Sequence, residues 1–240
     1  FRASNGKLYG MTAYGGAINN GVLFEYDPAG TGSYTKKLDF AGATNGSRPY
    51  GSVMQASNGK LYGMTYYGGA YSQGVLFEYD VATSTYTKKL DFVAGSINGS
   101  NPQGSLMKAS NGKLYGMTSR GGTGNNGVLF ELDPATNTYT KKMDFTGSAN
   151  GSRPYGSLIQ GSNGKLYGMT QMGGTGGVGV LFEYNPSTNN LIKILDFAGT
   201  TNGSYPLGSL VQATNGKIYG MTTQGGANGS GVIFEYDPST

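Results

Sequence analysis

The strongest constraint on this chain is a repeat. Lys-Leu-Tyr-Gly-Met-Thr, followed across a Gly-rich gap by Gly-Val-Leu-Phe-Glu-Tyr-Asp or a close variant, begins at Lys7 and returns at Lys60, Lys113, Lys165 and Lys217. The starts lie 53, 53, 52 and 52 residues apart. A period of about fifty residues belongs to repeat arrays and propeller-type folds, in which each unit buries its faces against its neighbours. The 240 residues divide into one array with repeats at about 1–50, 51–103, 104–155, 156–207 and 208–240.

Residues Gly104 to Pro154 show the plan of one repeat. Gly104–Ala109 is a short apolar segment, the A strand. Asn111-Gly112 separates it from Lys113–Thr118, the B strand, and Asn-Gly between two strand-like runs predicts a hairpin with a type I′ turn. A Gly-rich loop leads to Gly127–Asp133, the C strand, where Val128, Phe130 and Leu132 alternate on one face. Asp133-Pro134-Ala135-Thr136-Asn137 is a turn, since proline sets φ and the Asp and Asn side chains can satisfy backbone groups. Thr138–Phe145 is the D strand, and a linker containing Asn-Gly-Ser follows. No segment carries helical periodicity beyond a turn. The expected fold is therefore all-β: a β-propeller of five four-stranded antiparallel blades with the terminal blades incomplete.

The A strand, small and Gly-rich, suits the crowded inner position of such a blade. The D strand carries Lys36-Lys37, Lys88-Lys89 and Lys141-Lys142, which suits an outer edge protected from aggregation. The fourth copy departs from this with Leu191-Ile192-Lys193-Ile194. The chain opens at Phe1 within a repeat, lacks an initiator Met, and carries no D strand after Pro238. It reads as a fragment or a processed product, from either a five-bladed or a larger ring.

Composition narrows the chemistry. There is no Cys and no His, which removes disulfides, thiolate metal sites, and nucleophiles paired with histidine. Neither a metal site nor a cofactor is expected. The net charge is only +4 and the lysines are spread over the repeats, so a nucleic-acid partner is not expected. No apolar run is long enough to span a bilayer, so no membrane insertion is expected. The 44 glycines recur at fixed places and read as turn residues.

Antiparallel alternation puts the A–B and C–D turns on one face of the array and the B–C loops and D–A linkers on the other. The first face is nearly identical in every copy. The second holds the longer loops and most of the differences. There the B–C loops place Tyr14, Tyr66-Tyr67, Arg120, Gln171 and Gln224 beside Gly-Gly. The linkers place Arg48, Arg153 and Tyr205 before proline and Tyr50 and Tyr155 after it. Loops on a rigid scaffold carry binding, and Tyr, Arg and Gly are good recognition chemistry. The opposing reading is that these are ordinary solvated loops.

Other recurrent groups read as structural. The C-strand glutamates Glu25, Glu78, Glu131, Glu183 and Glu235 are equivalent around the array, which argues against one asymmetric pair of acid catalysts. The aspartates Asp39, Asp91, Asp144 and Asp196 are expected to accept hydrogen bonds from the Asn-Gly-Ser linkers. Tyr9, Tyr62, Tyr115, Tyr167 and Tyr219 are expected to pack between blades. Gly173–Gly177 lacks the Lys-Ser/Thr and helix of a phosphate loop. The sequons at Asn45, Asn98, Asn150, Asn202 and Asn228 read as turns, with glycosylation open in a secretory setting.

Leu114-Tyr115, Gly121-Gly122 and Asp133–Tyr139 resemble a kelch repeat. Leu-Tyr-Gly-Met-Thr, the Gly pair, Gly-Val-Leu-Phe-Glu-Tyr-Asp, Leu-Asp-Phe, Asn-Gly-Ser-x-Pro and Gly-Ser-Leu together resemble more closely the GloVer-type tandem repeat of bacterial surface and secreted proteins, over essentially the whole chain. That resemblance implies a propeller in an extracellular or cell-surface setting and supplies no catalytic residues. The resulting expectation is a module without enzymatic activity that binds a glycan or protein ligand on its long-loop face. The alternatives are an assembly unit of a surface layer or filament, with strand exchange between neighbouring chains, and a hydrolase using paired carboxylates.

Overall fold

The computed structural model describes residues 1–30, 32–95 and 97–239. Thr240, the last residue assigned to the fifth repeat, lies outside them. Among the described residues there is no helix, and eighteen strands form five antiparallel sheets. Sheet 1 contains β1 (Leu8–Thr12), β2 (Val22–Asp27) and β3 (Ser33–Asp39). Sheet 2 contains β4 (Met54–Gln55), β5 (Leu61–Thr65), β6 (Val75–Asp80) and β7 (Thr85–Asp91). Sheet 3 contains β8 (Met107–Lys108), β9 (Leu114–Thr118), β10 (Val128–Asp133) and β11 (Thr138–Asp144). Sheet 4 contains β12 (Ile159–Gln160), β13 (Leu166–Thr170), β14 (Val180–Asn185) and β15 (Asn190–Asp196). Sheet 5 contains β16 (Val211–Gln212), β17 (Ile218–Met221) and β18 (Ile233–Tyr236). The three central sheets have four strands in sequence order and the two end sheets have three. In sheet 1 the A position is held by Arg2, bridged to Leu8, and by Phe1, whose carbonyl accepts from Tyr9 N.

Each sheet has two apolar faces; neighbours cover both in sheets 2, 3 and 4 and one in each end sheet. Between sheets 2 and 3, Tyr62, Met64, Leu76 and Phe92 pack against Leu114, Val128, Phe130 and Leu132. The pattern follows from strand alternation: Leu114 and Phe130 face the preceding sheet, while Tyr115 and Leu129 face the following one. A phenylalanine after each D strand meets one on the next C strand, with ring centroids 5.6, 6.1, 5.4 and 5.3 Å apart for Phe40–Phe77, Phe92–Phe130, Phe145–Phe182 and Phe197–Phe234. Such pairs add about 0.5–1.5 kcal/mol beyond the area they bury.

Glycine in the B strand is required by this packing. A Cβ on Gly63 would lie 2.6 Å from Cζ of Phe77, because the far end of the C-strand ring sits against the B-strand backbone. At the A edges, Gly51 approaches the Gly104 carbonyl and Gly104 approaches the Gly156 carbonyl, closer than any side chain allows. Ser52 N donates to Ser105 Oγ, Ser105 N to Ser157 Oγ and Ser157 N to Ser209 Oγ, at 2.7–2.8 Å. The A edges of successive sheets thus converge and the D strands lie outermost.

Two local features depart from the sequence reading. The A–B hairpin is not a two-residue type I′ turn. Gly59 N donates to Ala56 O and Ala56 N to Lys60 O, and only Gly59 has positive φ, so the loop has three residues, Ser57-Asn58-Gly59. The Asn58 side chain is thereby free to accept from Lys60 N and donate to the Tyr62 phenol. The second feature is a register shift in every C–D pair, between Leu76 and Phe77 in sheet 2. Its extra residue is Lys89, which the bulge turns toward Glu78 at 3.0 Å. In sheet 4 that position is Ile194.

Candidate binding face

The two faces assemble as strand alternation requires. The A–B and C–D turns meet on one side, where a groove of about 280 Å³ lies among Ser110, Asn163, Lys165 and Pro186. A near-copy of about 270 Å³ lies among Asn163, Asn215 and Pro238. These grooves are lined by turns common to the repeats, so neither marks a distinct site.

On the other side each D–A linker is wedged between two B–C loops. Arg48 N donates to Asn20 O in the loop before it, and Arg48 O accepts from Tyr66 N in the loop after it. Asn101, Arg153 and Tyr205 repeat this position, all with φ between 52 and 55°. The linker asparagine anchors the approach: Asn45 Oδ1 accepts from Ala41 N, and its Nδ2 donates to the backbone carbonyl of Asp39. The Asp39 carboxylate itself accepts from Ala17 N in the B–C loop and pairs with Lys36 at 2.7 Å. The aspartates therefore hold the B–C loops and not, as expected, the linkers, because the linker asparagine takes the aspartate's main-chain oxygen.

At the junction of sheets 1 and 2 the variable residues gather into one cluster. The Arg48 guanidinium lies 5.3 Å from the Tyr14 ring centroid and 5.6 Å from that of Tyr67. Tyr66 stands edge-on to Tyr67 at 4.4 Å and to Tyr50 at 5.4 Å. Tyr14, Tyr50 and Tyr67 are exposed, at 54%, 47% and 39%. An open cavity of about 400 Å³ borders Arg48, Tyr67, Asn20 and Ser72. Burial, then a hydrogen bond with Tyr14, raises the Tyr50 phenol above its ordinary value, against the charge of Arg48. Burial is also the main cause that raises Tyr66, with Gln103 donating a hydrogen bond in the opposite sense. The Tyr50 and Tyr66 phenols, both raised, are therefore neutral at physiological pH.

The cluster extends inward. Arg120 and Tyr155 lie close enough to Tyr66 to act on it electrostatically. Tyr50, Gln103, Tyr155 and Leu207 ring a cavity of about 200 Å³ where the A edges converge, with the glycines and serines of four repeats as its floor. Arg153, Gln171, Tyr205 and Gln224 belong to the later junctions: Gln171 N donates to Arg153 O, and Gln224 bridges Ser204. The expected residues thus divide into a tyrosine–arginine cluster and separate later positions. Asn20 and Ser72 line the outer cavity and are not among the residues singled out from the sequence. Their place in the B–C loops, between the Gly pair and the C strand, is the signal that could have found them.

The five recurrent glutamates are occupied. Tyr62 donates to Glu78 at 2.6 Å and Lys60 pairs with its other oxygen at 2.8 Å, and the other repeats keep this pairing. Among the described residues, no three His, Cys, Asp or Glu side chains are grouped to hold a metal ion.

The profile of the Gloeobacter/Verrucomicrobia repeat matches residues 1–159 and, overlapping, residues 93–240. The chain belongs to this repeat family. No curated protein matches it. Among solved structures, the Gloeobacter/Verrucomicrobia repeat chain is similar to a chain of the nidogen/laminin complex, with 11% identity, TM-score 0.61, and coverage of 98% of this chain and 74% of that one. It is similar to TolB from Acinetobacter baumannii, with 14% identity, TM-score 0.58, and coverage of 98% and 50%. It is also similar to a candidate 6-phosphogluconolactonase from Bacteroides uniformis, with 17% identity, TM-score 0.60, and coverage of 97% and 65%. The chain spans half the length of the TolB chain. At these identities the likeness is one of fold, an all-β, propeller-like array.

The last similarity corrects one expectation. The sequence led to a module without enzymatic activity, because His and Cys are absent, the five glutamates are equivalent, and the repeat resemblance supplies no catalytic residues. The same architecture occurs in a protein assigned as a lactonase, and fold does not dictate function, so that exclusion does not stand. No helix among the described residues is long and apolar enough to cross a membrane.

Proposed function

We propose that this chain is a binding module that takes a glycan at the tyrosine–arginine cluster between sheets 1 and 2. The observation that carries the reading is Arg48 set between the Tyr14 and Tyr67 rings, beside Tyr50 and Tyr66. Flat, half-exposed rings offer stacking surfaces for the apolar face of a sugar, and a fixed guanidinium offers forked donors to its hydroxyls or carboxylates. The cluster exists at one junction only, since the later B–C loops carry Ser119-Arg120, Gln171-Met172 and Thr223-Gln224. A protein ligand is the second reading, supported by Tyr and Arg being the side chains that dominate protein interfaces. The extracellular setting is part of the proposal and rests on the likeness of the repeats to those of surface and secreted proteins. So is closure of the array into a propeller, with the A edges around its axis.

A glycan array with the wild-type chain and a Tyr67→Ala, Arg48→Ala double variant tests the reading. The wild type binds a defined set of glycans and the double variant loses them by at least tenfold. Equal binding by both, or no glycan bound by the wild type, would overturn it.

A further inference from the structure

The charge on the long-loop face is all of one sign. Lysines and acids number thirteen each, so the net charge of +4 is that of the four arginines. Three of them, Arg48, Arg120 and Arg153, are the only charged residues in the five B–C loops and four D–A linkers, which hold no Asp, Glu or Lys. The aspartates at the D-strand ends beneath this face are each neutralised by a lysine of the same strand. Asp39 pairs with Lys36, Asp91 with Lys88, Asp144 with Lys141 and Asp196 with Lys193, at 2.7–2.9 Å. Among the described residues no carboxylate pairs with Arg48, Arg120 or Arg153.

The repeat sets these arginines at equivalent stations. Arg48 N donates to Asn20 O, and Arg153 N donates to Asn126 O in the same position two sheets on. Arg120 holds in sheet 3 the B–C loop position that Tyr14 and Tyr67 hold in sheets 1 and 2. Between sheets 1 and 2, Arg48 therefore lies between two rings, at 5.3 and 5.6 Å. Between sheets 3 and 4, the station of the first ring carries a second guanidinium, so Arg120 and Arg153 occupy neighbouring positions, and both are exposed. Two like charges placed together without a carboxylate repel, and a bound anion relieves that repulsion. Arg48 and Arg153 also hold φ of 52 and 54°, a left-handed conformation that suits Asn101 at the equivalent position better than arginine.

We propose that the glycan taken by this face is an acidic one, bearing carboxylate or sulfate groups, and that it runs from the Tyr14–Arg48–Tyr67 cluster to Arg120 and Arg153. The inference rests on the glycan reading above and names the class of glycan. A guanidinium fork pairs two oxygens of a carboxylate or sulfate at once, and the tyrosine rings take the sugar faces between the charged groups. The cluster and the later arginines share one field, since Arg120 is close enough to Tyr66 to act on its phenol. The open cavity of about 400 Å³ beside Arg48 gives a sugar room at one end. A neutral glycan leaves Arg120 and Arg153 unmet.

The test measures fluorescence anisotropy of the whole chain with three labelled hexasaccharides: an oligogalacturonate, its neutral methyl ester, and a chondroitin sulfate fragment. At least one acidic probe is expected to bind about tenfold more tightly than the ester, in line with charge-assisted hydrogen bonds to its anions, and to weaken as salt is added. The tighter of the two identifies carboxylate or sulfate as the preferred group. Arg120→Gln and Arg153→Asn install residues that other repeats carry at the same stations, Gln224 and Asn101, and so keep the loop chemistry. Each is expected to weaken the acidic probe about three- to tenfold and to leave the ester unchanged. Lys108→Gln removes the same charge beside the A–B turn on the opposite face, where other repeats carry Gln55, Gln160 and Gln212, and is expected to change nothing. Ester bound as tightly as both acidic probes would overturn the inference and leave the glycan reading standing. Hexaglutamate or a hexathymidylate bound as tightly as the acidic glycans, or Lys108→Gln as damaging as Arg120→Gln, would overturn it too. No hexasaccharide bound at all would count against both.

Discussion

The Tyr62 phenol donates a 2.6 Å hydrogen bond to Glu78 Oε2, and Asn58 Nδ2 donates in turn to the Tyr62 oxygen. With Lys60 on the second carboxylate oxygen and Lys89 from the bulge, one buried anion ties all strands but A of sheet 2 to its hairpin turn. The arrangement is the polar counterpart of the apolar faces. It satisfies a charge that would otherwise oppose the packing of the next sheet.

The network fixes how stability changes with pH. Burial acts upward on the Glu78 carboxyl, but hydrogen bonds from Lys60, Tyr62 and Lys89 and the charge of Lys89 outweigh it, holding the group below its ordinary value. Glu25 and Glu131 are lowered likewise. A carboxyl with a lowered folded pKa stabilises above its unfolded value, and that contribution is lost as pH falls through the folded value. The hydrogen bond to Glu78 raises Lys60, and burial raises the Tyr9 phenol to about 12. Groups raised in the folded state stabilise below their unfolded values and lose that contribution as pH rises through the folded ones. Urea midpoints measured across pH are expected to be level between the carboxyl and the lysine ranges and to fall on both sides.

Tyr62→Phe removes one donor from a buried carboxylate and the nearer of two acceptors of Asn58 Nδ2, which keeps only the Pro134 carbonyl at 3.4 Å. The expected loss is about 1–3 kcal/mol, the cost of leaving a buried polar group unmet. Equilibrium denaturation reads this directly, and the acid limb of the pH profile should move to higher pH in the same variant.

Gly63→Ala places a methyl group 2.6 Å from the Phe77 ring and 3.2 Å from Val53 Cγ1. The ring is also held by Phe40 and Tyr86 and has little room to move. Overpacking of this kind costs about 1–3 kcal/mol. Gly59→Ala is a useful contrast: its Cβ meets nothing, and its cost comes only from φ near 80°. Thermal unfolding of the two variants separates contact from backbone strain.

Much of this architecture was legible in residue spacing. The period of Lys-Leu-Tyr-Gly-Met-Thr marked the sheets, because the apolar alternation of β5 and β6 repeats with each unit. The hairpin after Ala56 was misread because Asn-Gly fits both a two-residue I′ loop and a three-residue loop, and hydrogen bonds decide between them. The linker is the expected partner of Asp39 because Asn45 is near in sequence, but that asparagine takes the Asp39 main-chain oxygen, and the pairing of β2 with β3 brings the carboxylate to Ala17 N in the B–C loop. The Tyr–Arg cluster was visible as a set of variable loop residues. That Tyr14, Arg48 and Tyr67 meet while Arg153 and Gln171 lie elsewhere depended on which linker is wedged between which loops.

The central claim is that a sheet owes its stability to the neighbours that cover its faces, two for a central sheet and one for an end sheet. Native-state hydrogen exchange, resolved strand by strand, tests it most directly, since local opening reports how well each element is packed. The account predicts the strongest protection in β5, β9 and β13, whose five residues are all buried, and markedly faster exchange in β17 and β18, where Met221 and Ile233 stand exposed. Equal protection of β18 and β14 in the isolated chain would contradict it.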